Sequence, residues 1–61
     1  MGEPKFKIGD KIYHITKESK EGIIVNIIYY FSTRRFEYII TTGWGEEYSC
    51  YEYELVKNKI F

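Results

Sequence analysis

The fold is decided by Ile23-Ile24-Val25-Asn26-Ile27-Ile28-Tyr29-Tyr30-Phe31. This stretch is almost continuously β-branched or aromatic, and Gly22 stands directly before it. Apolar residues fall on every side of a helical wheel, so an amphipathic helix is a poor fit and a long strand is favoured. Two faces compete within it. Ile23, Val25, Ile27, Tyr29 and Phe31 make one, and Ile24, Asn26, Ile28 and Tyr30 make the other, which Asn26 interrupts. A bulge near Val25-Asn26 resolves the conflict, because one extra residue hands the inward role from Ile24 to Ile27 and Tyr29.

The elements on either side of this strand follow in order. Gly9-Asp10 is a turn signal, and Lys11–Thr16 alternates as a first strand. Lys17 to Glu21 is a polar loop. After the long strand, Ser32-Thr33-Arg34-Arg35 reads as a hairpin tip and Phe36–Thr42 as the returning strand. Phe36, Tyr38 and Ile40 share one face of that strand, with Glu37 and Ile39 on the other. Gly43-Trp44-Gly45 is a tight connection into a fourth strand, Glu46–Tyr51, on which Tyr48 and Cys50 share a face. Tyr51-Glu52-Tyr53-Glu54 fits one 3₁₀ turn, and Leu55-Val56-Lys57 a short fifth strand. Phe6, Tyr29, Phe36 and Tyr38 are the expected aromatic core.

Five short strands in 61 residues predict an all-β fold, a small closed or partly open barrel. It forms one domain with its core over residues 6–57, a short N-terminal arm and a C-terminal tail. An OB-fold is disfavoured because Gly43-Trp44-Gly45 leaves no room for its helix. A single cysteine excludes a disulfide framework, so stability rests on apolar packing. The longest apolar run, Ile27 to Phe31, is too short to span a bilayer. The first residues lack the apolar core of a signal peptide, and one thiol fits a reducing compartment, so a cytoplasmic location is expected.

Phe6-Lys7-Ile8-Gly9-Asp10-Lys11-Ile12, Glu21-Gly22-Ile23-Ile24-Val25-Asn26-Ile27 and Glu52-Tyr53-Glu54-Leu55-Val56 together carry a resemblance. Their order resembles the SH3-like barrels of the Tudor and KOW type, over roughly Phe6 to Val56. In such barrels an apolar-Gly-Asp-x-apolar entry opens strand one. A Gly followed by three apolar residues opens strand two, and an acidic residue and Leu close the barrel after a 3₁₀ turn. The resemblance implies an interaction module that contacts protein or nucleic acid, and an aromatic surface able to hold methylated side chains. Fold alone leaves the partner open.

Catalysis is not expected. His14 and Cys50 are single residues of their kinds, and a nucleophile pair needs contact, an orienting group and a cleft. One His and one Cys do not make a zinc site. Glu46 and Glu47 point to opposite faces of a strand, whereas Glu52 and Glu54 share a face only if extended. No phosphate-cradling glycine motif is present. Neither a metal nor a cofactor is predicted.

Charge placement is the informative feature. Nine basic and nine acidic residues give zero net charge. Yet residues 1–35 hold seven basic and four acidic side chains, and residues 36–56 hold five acidic and none basic. Within that acidic segment, Trp44, Tyr48, Tyr51 and Tyr53 alternate with Glu46, Glu47, Glu52 and Glu54. Aromatic faces flanked by carboxylates attract cations, so the first expectation is a protein partner with a basic surface. The alternative is nucleic acid, bound through the Lys17/Lys20 loop and the Arg34/Arg35 tip with tyrosines stacking on bases. A homodimer, pairing the oppositely charged halves, is a further option. No membrane partner is expected.

Overall fold

The computed structural model describes residues 3–15, 21–42 and 45–58. Five antiparallel strands run β1 Lys11–His14, β2 Gly22–Tyr30, β3 Arg35–Thr41, β4 Glu47–Tyr51 and β5 Leu55–Val56. A 3₁₀ turn, Glu52–Glu54, separates β4 from β5 and is closed by Leu55 N–H donating to the Glu52 carbonyl. The strand order is β4-β3-β2-β1-β5. Strand boundaries differ from the sequence expectation by a residue or two, and Thr16, expected in β1, lies outside the described residues. Among the described residues no helix is long and apolar enough to cross a membrane.

The long central strand behaves as its composition requires. Ile24 pairs with Ile40, Asn26 with Ile39 and Ile27 with Tyr38, so Val25 is the extra residue of a bulge. Ile24 and Ile27 therefore both face inward, although three positions apart. Val25 and Asn26 are exposed. Asn26 Oδ1 accepts the Ile27 N–H at 2.9 Å, which satisfies a donor beside the disrupted ladder.

The core is Phe6, Ile12, Ile24, Tyr38, Ile40 and Leu55, with Ile27, Phe36 and Cys50 packed against it. Phe6 meets Tyr38 edge to face, with ring centroids 5.5 Å apart. The aromatic expectation holds for these two and, at the margin, for Phe36. Tyr29 is only half-buried: it tilts against Phe36 at 4.8 Å and stays outside the central cluster. The reason is topological. On β2, β1 pairs with Gly22 and Ile23 alone, so the far half of β2 has only β3 beside it among the described strands.

Gly9 supports the entry to β1. Its φ of +94° lies in the left-handed region, and its N–H donates to the Ile24 carbonyl at 2.7 Å. Asp10 completes the turn, its carboxylate accepting Lys7 N–H at 2.9 Å.

The sheet is not closed. β4 pairs only with β3, and β5, two residues long, pairs only with β1. The chain crosses between these two edges through the 3₁₀ turn. β4 and β5 are thus the two edges of one five-stranded antiparallel sheet.

Candidate partner-binding surface

Tyr51 ends β4, opposite Glu37 on β3, and Tyr53 follows in the 3₁₀ turn. Their rings are nearly parallel, 10° apart, with centroids separated by 6.1 Å. Tyr53 is 69% exposed and Tyr51 37%. The pair borders a hollow of about 400 Å³ that is also lined by Lys5, Arg34, Arg35, Phe36 and Glu52. The antiparallel β3–β4 register explains the meeting. Because Glu37 stands opposite Tyr51, the residues before Glu37 run alongside those after Tyr51.

Glu52 is turned to internal work. Its Oε2 accepts the Tyr38 hydroxyl at 2.6 Å and the Lys5 backbone N–H at 3.0 Å. The Tyr38 hydroxyl in turn accepts the buried Phe6 N–H at 3.3 Å. One carboxylate thus ties the N-terminal arm to the core. The Tyr38 pKa is pushed up to about 12, first by burial and then by the bond to Glu52.

Glu54 goes elsewhere. Its Oε1 accepts the Tyr51 N–H at 2.9 Å, and its Oε2 lies 3.1 Å from His14 Nε2 on β1. The Tyr51 bond, and after it His14, holds this carboxyl below the usual carboxylate range. Ile15 N–H donates to the Glu54 carbonyl at 2.9 Å, a second link between β1 and the turn. Glu52 and Glu54 therefore do not form one paired carboxylate site.

Tyr48 donates its hydroxyl to Glu46, and that bond raises the Tyr48 pKa. Glu47 is exposed opposite Thr41. Tyr48 and Glu54 line a second hollow, of about 320 Å³, whose floor is Ile12, Ile40, Cys50 and Leu55 and whose rim includes His14. The Cys50 thiol there is pushed up, chiefly by burial, so it keeps its proton at neutral pH. No group of three or more His, Cys, Asp or Glu among the described residues is placed to hold a metal ion.

Of the eight residues grouped by sequence, those described are thus divided by the fold. Tyr51, Glu52 and Tyr53 border one hollow, and Tyr48 and Glu54 border the other. Arg34 and Arg35, assigned by sequence to a rival site, join Tyr51 and Tyr53. Trp44, Lys17 and Lys20 lie outside the described residues. Lys5 and Phe36 were missed as lining residues. Counting the β3–β4 pairing outward from the Gly43–Gly45 connection would have brought Phe36 to the turn. Nothing local points to Lys5, whose backbone reaches Glu52 across 47 positions.

No protein-family model, curated protein or solved structure matches the chain.

Proposed function

We infer that this chain is a non-enzymatic interaction module, an SH3-like barrel with an open seam, that captures a protein partner through Tyr51 and Tyr53. The observation that carries the reading is the exposed, parallel tyrosine pair beside a hollow rimmed by two arginines. Tyr and Arg are the residue types that most often anchor interfaces, because they bring large contact area and directional polar groups together. The SH3-like assignment is supported by the strand order, the long bulged β2–β3 hairpin and the 3₁₀ turn before the last strand.

The test is affinity capture with the wild-type chain and a Tyr51→Ala/Tyr53→Ala variant whose fold is checked by circular dichroism. Partners lost with the variant support the reading. An unchanged partner set from a folded variant removes this surface from consideration.

A second reading, single-stranded nucleic acid, is favoured by one observation: Arg34 and Arg35 line the same hollow as the two rings. Bases stack on tyrosine while arginines take phosphates. Retardation of labelled oligonucleotide that falls steeply with salt would support it.

A further inference from the structure

We propose that the segment received by the Tyr51/Tyr53 hollow is acidic: a short extended stretch of a protein, whose Asp or Glu side chains Arg34, Arg35 and Lys5 take while the two rings cover a neighbouring apolar or aromatic side chain. This rests on the interaction-module reading and gives the partner a sign of charge opposite to the one expected from sequence.

Three observations converge. Among the described residues, neither arginine forms an ion pair or a side-chain hydrogen bond; the ion pairs there are His14–Glu54 and Lys57–Asp10. Two arginines of one hollow, each carrying a planar fork of donors, are therefore available for carboxylates, the geometry in which Arg outperforms Lys. The carboxylates of the acidic segment are mostly occupied within the fold. Glu52 accepts from Tyr38 and Lys5, Glu54 from Tyr51 while also facing His14, Glu37 from Tyr30 and Glu46 from Tyr48. Among the described residues lining the hollow, Glu52 is the one acid, against Lys5, Arg34 and Arg35.

The third observation is backbone strain. Arg34 has φ +57°, the left-handed region in which an L side chain is disfavoured. Its N–H closes the hairpin on the Tyr30 carbonyl at 2.8 Å. Glycine suits this position best, yet the chain carries an exposed arginine there, and strain of this kind points toward use.

A short acidic peptide fits better than a polyphosphate. Three basic residues, Lys5, Arg34 and Arg35, line one hollow, and a long polyanion leaving it along β3 and β4 would run past Glu37 and the exposed Glu47. Affinity for a nucleic-acid backbone grows with the number of phosphates neutralised, whereas a carboxylate or two needs only this cluster.

The test is a titration of the ¹⁵N-labelled full chain with three probes. These are a capped Glu-rich peptide with a central tyrosine, its Lys-rich counterpart, and oligothymidylate. The expected result is that the Glu-rich peptide shifts the amides of Arg34, Arg35, Tyr51 and Tyr53. An Arg34→Gln/Arg35→Gln variant with an otherwise native spectrum should bind it about tenfold more weakly, as loss of a charge-assisted bidentate contact entails. Shifts of the same amides by the Lys-rich peptide would overturn the acidic assignment and leave the module reading standing. Tighter binding of oligothymidylate than of the Glu-rich peptide would overturn it in favour of nucleic acid. A hollow silent to all three probes would overturn it as well, while partner capture by the wild type and not by the tyrosine variant judges the module reading separately.

Discussion

The Tyr38 hydroxyl, at the centre of the sheet, donates to Glu52 Oε2 at 2.6 Å, and the same oxygen accepts the Lys5 N–H at 3.0 Å. A fully buried ring thereby positions the first residue of the 3₁₀ turn and anchors the N-terminal arm. Tyr38→Phe keeps the ring's packing against Phe6 but strands the buried Phe6 N–H and removes the strongest donor to Glu52. The expected cost is about 1–3 kcal/mol, because an unsatisfied buried group forfeits its hydration. Chemical denaturation measures it directly. By calorimetry the melting temperature should fall by about 4–8 °C for each kcal/mol in a domain of this size. Stability equal to wild type would show that water replaces the hydroxyl.

The same hydroxyl predicts alkaline sensitivity. The folded-state pKa of Tyr38, about 12, lies above its ordinary value of 10.0, so the folded state holds this proton more tightly. The linked stabilisation is fully present below pH 10 and is lost as pH rises from there through about 12. Tyr13, Tyr30 and Tyr48 are also raised, each through a hydroxyl bond to a carboxylate. Tyrosinate absorbance followed against pH, beside urea midpoints, should show stability falling over that interval, with the steepness reduced in Tyr38→Phe.

At the acid end the relevant group is Glu54. Its carboxyl is held below 4.5 by the Tyr51 N–H and then by His14, so it favours the charged form in the folded state. Its contribution is present above the unfolded value of 4.5 and disappears as pH falls through the lower folded value. Glu54→Gln keeps an acceptor for Tyr51 but loses the charge facing His14. It should cost about 1 kcal/mol at neutral pH and flatten the acid limb of the stability curve. Urea midpoints of both chains across the acid range decide this, and parallel acid limbs would contradict it.

Much of this fold is legible in the sequence because it rests on local pattern. Asn26 amid branched residues marks the bulge, and the glycines at 9 and 22 mark the entries to β1 and β2. What pattern cannot carry is the destination of side chains that reach across the sheet. Tyr38 and Glu52 look like one more aromatic and one more surface acid, and only the fold joins them. Tyr29 and Tyr38 look alike in sequence, yet Phe6 packs edge to face on Tyr38 while Tyr29 meets Phe31 and Phe36 outside the central cluster. The candidate site was half legible for the same reason. Tyr51 and Tyr53 stand out locally, whereas their arginine neighbours arrive through the β3–β4 register. The charge tally of residues 36–56 likewise does not tell which carboxylates the fold uses: Glu37, Glu46, Glu52 and Glu54 each accept a hydrogen bond within it.

Gly22 is buried at the start of β2, between Ile12 and Ile40. A Cβ added there would overlap Ile40 Cγ2, with Ile12 Cδ1 3.6 Å away on another side. Gly22→Ala should therefore cost about 1–3 kcal/mol through overpacking. The control is Ile40→Leu in the same background, which removes the Cγ2 branch at nearly constant volume and should recover part of the loss. Failure of the double variant to recover any of it, measured by urea denaturation, would shift the cause from side-chain overlap to backbone.

Arg34 separates stability from binding. Its left-handed φ of +57° costs an L residue about 1–2 kcal/mol, and glycine relieves that while losing about 0.5–1 kcal/mol of chain entropy. Arg34→Gly should consequently stabilise the fold by about 0.5–1 kcal/mol. The same change removes one of the two guanidinium groups at the Tyr51/Tyr53 hollow. If that hollow receives carboxylates, affinity for the Glu-rich peptide falls while the melting temperature rises. A residue retained only for the turn would give the rise alone, and Arg35→Gln, outside the strained position, should weaken binding with little change in stability. Opposed movement of the two readouts in Arg34→Gly marks a position where the chain gives up stability to keep a charge at its binding surface.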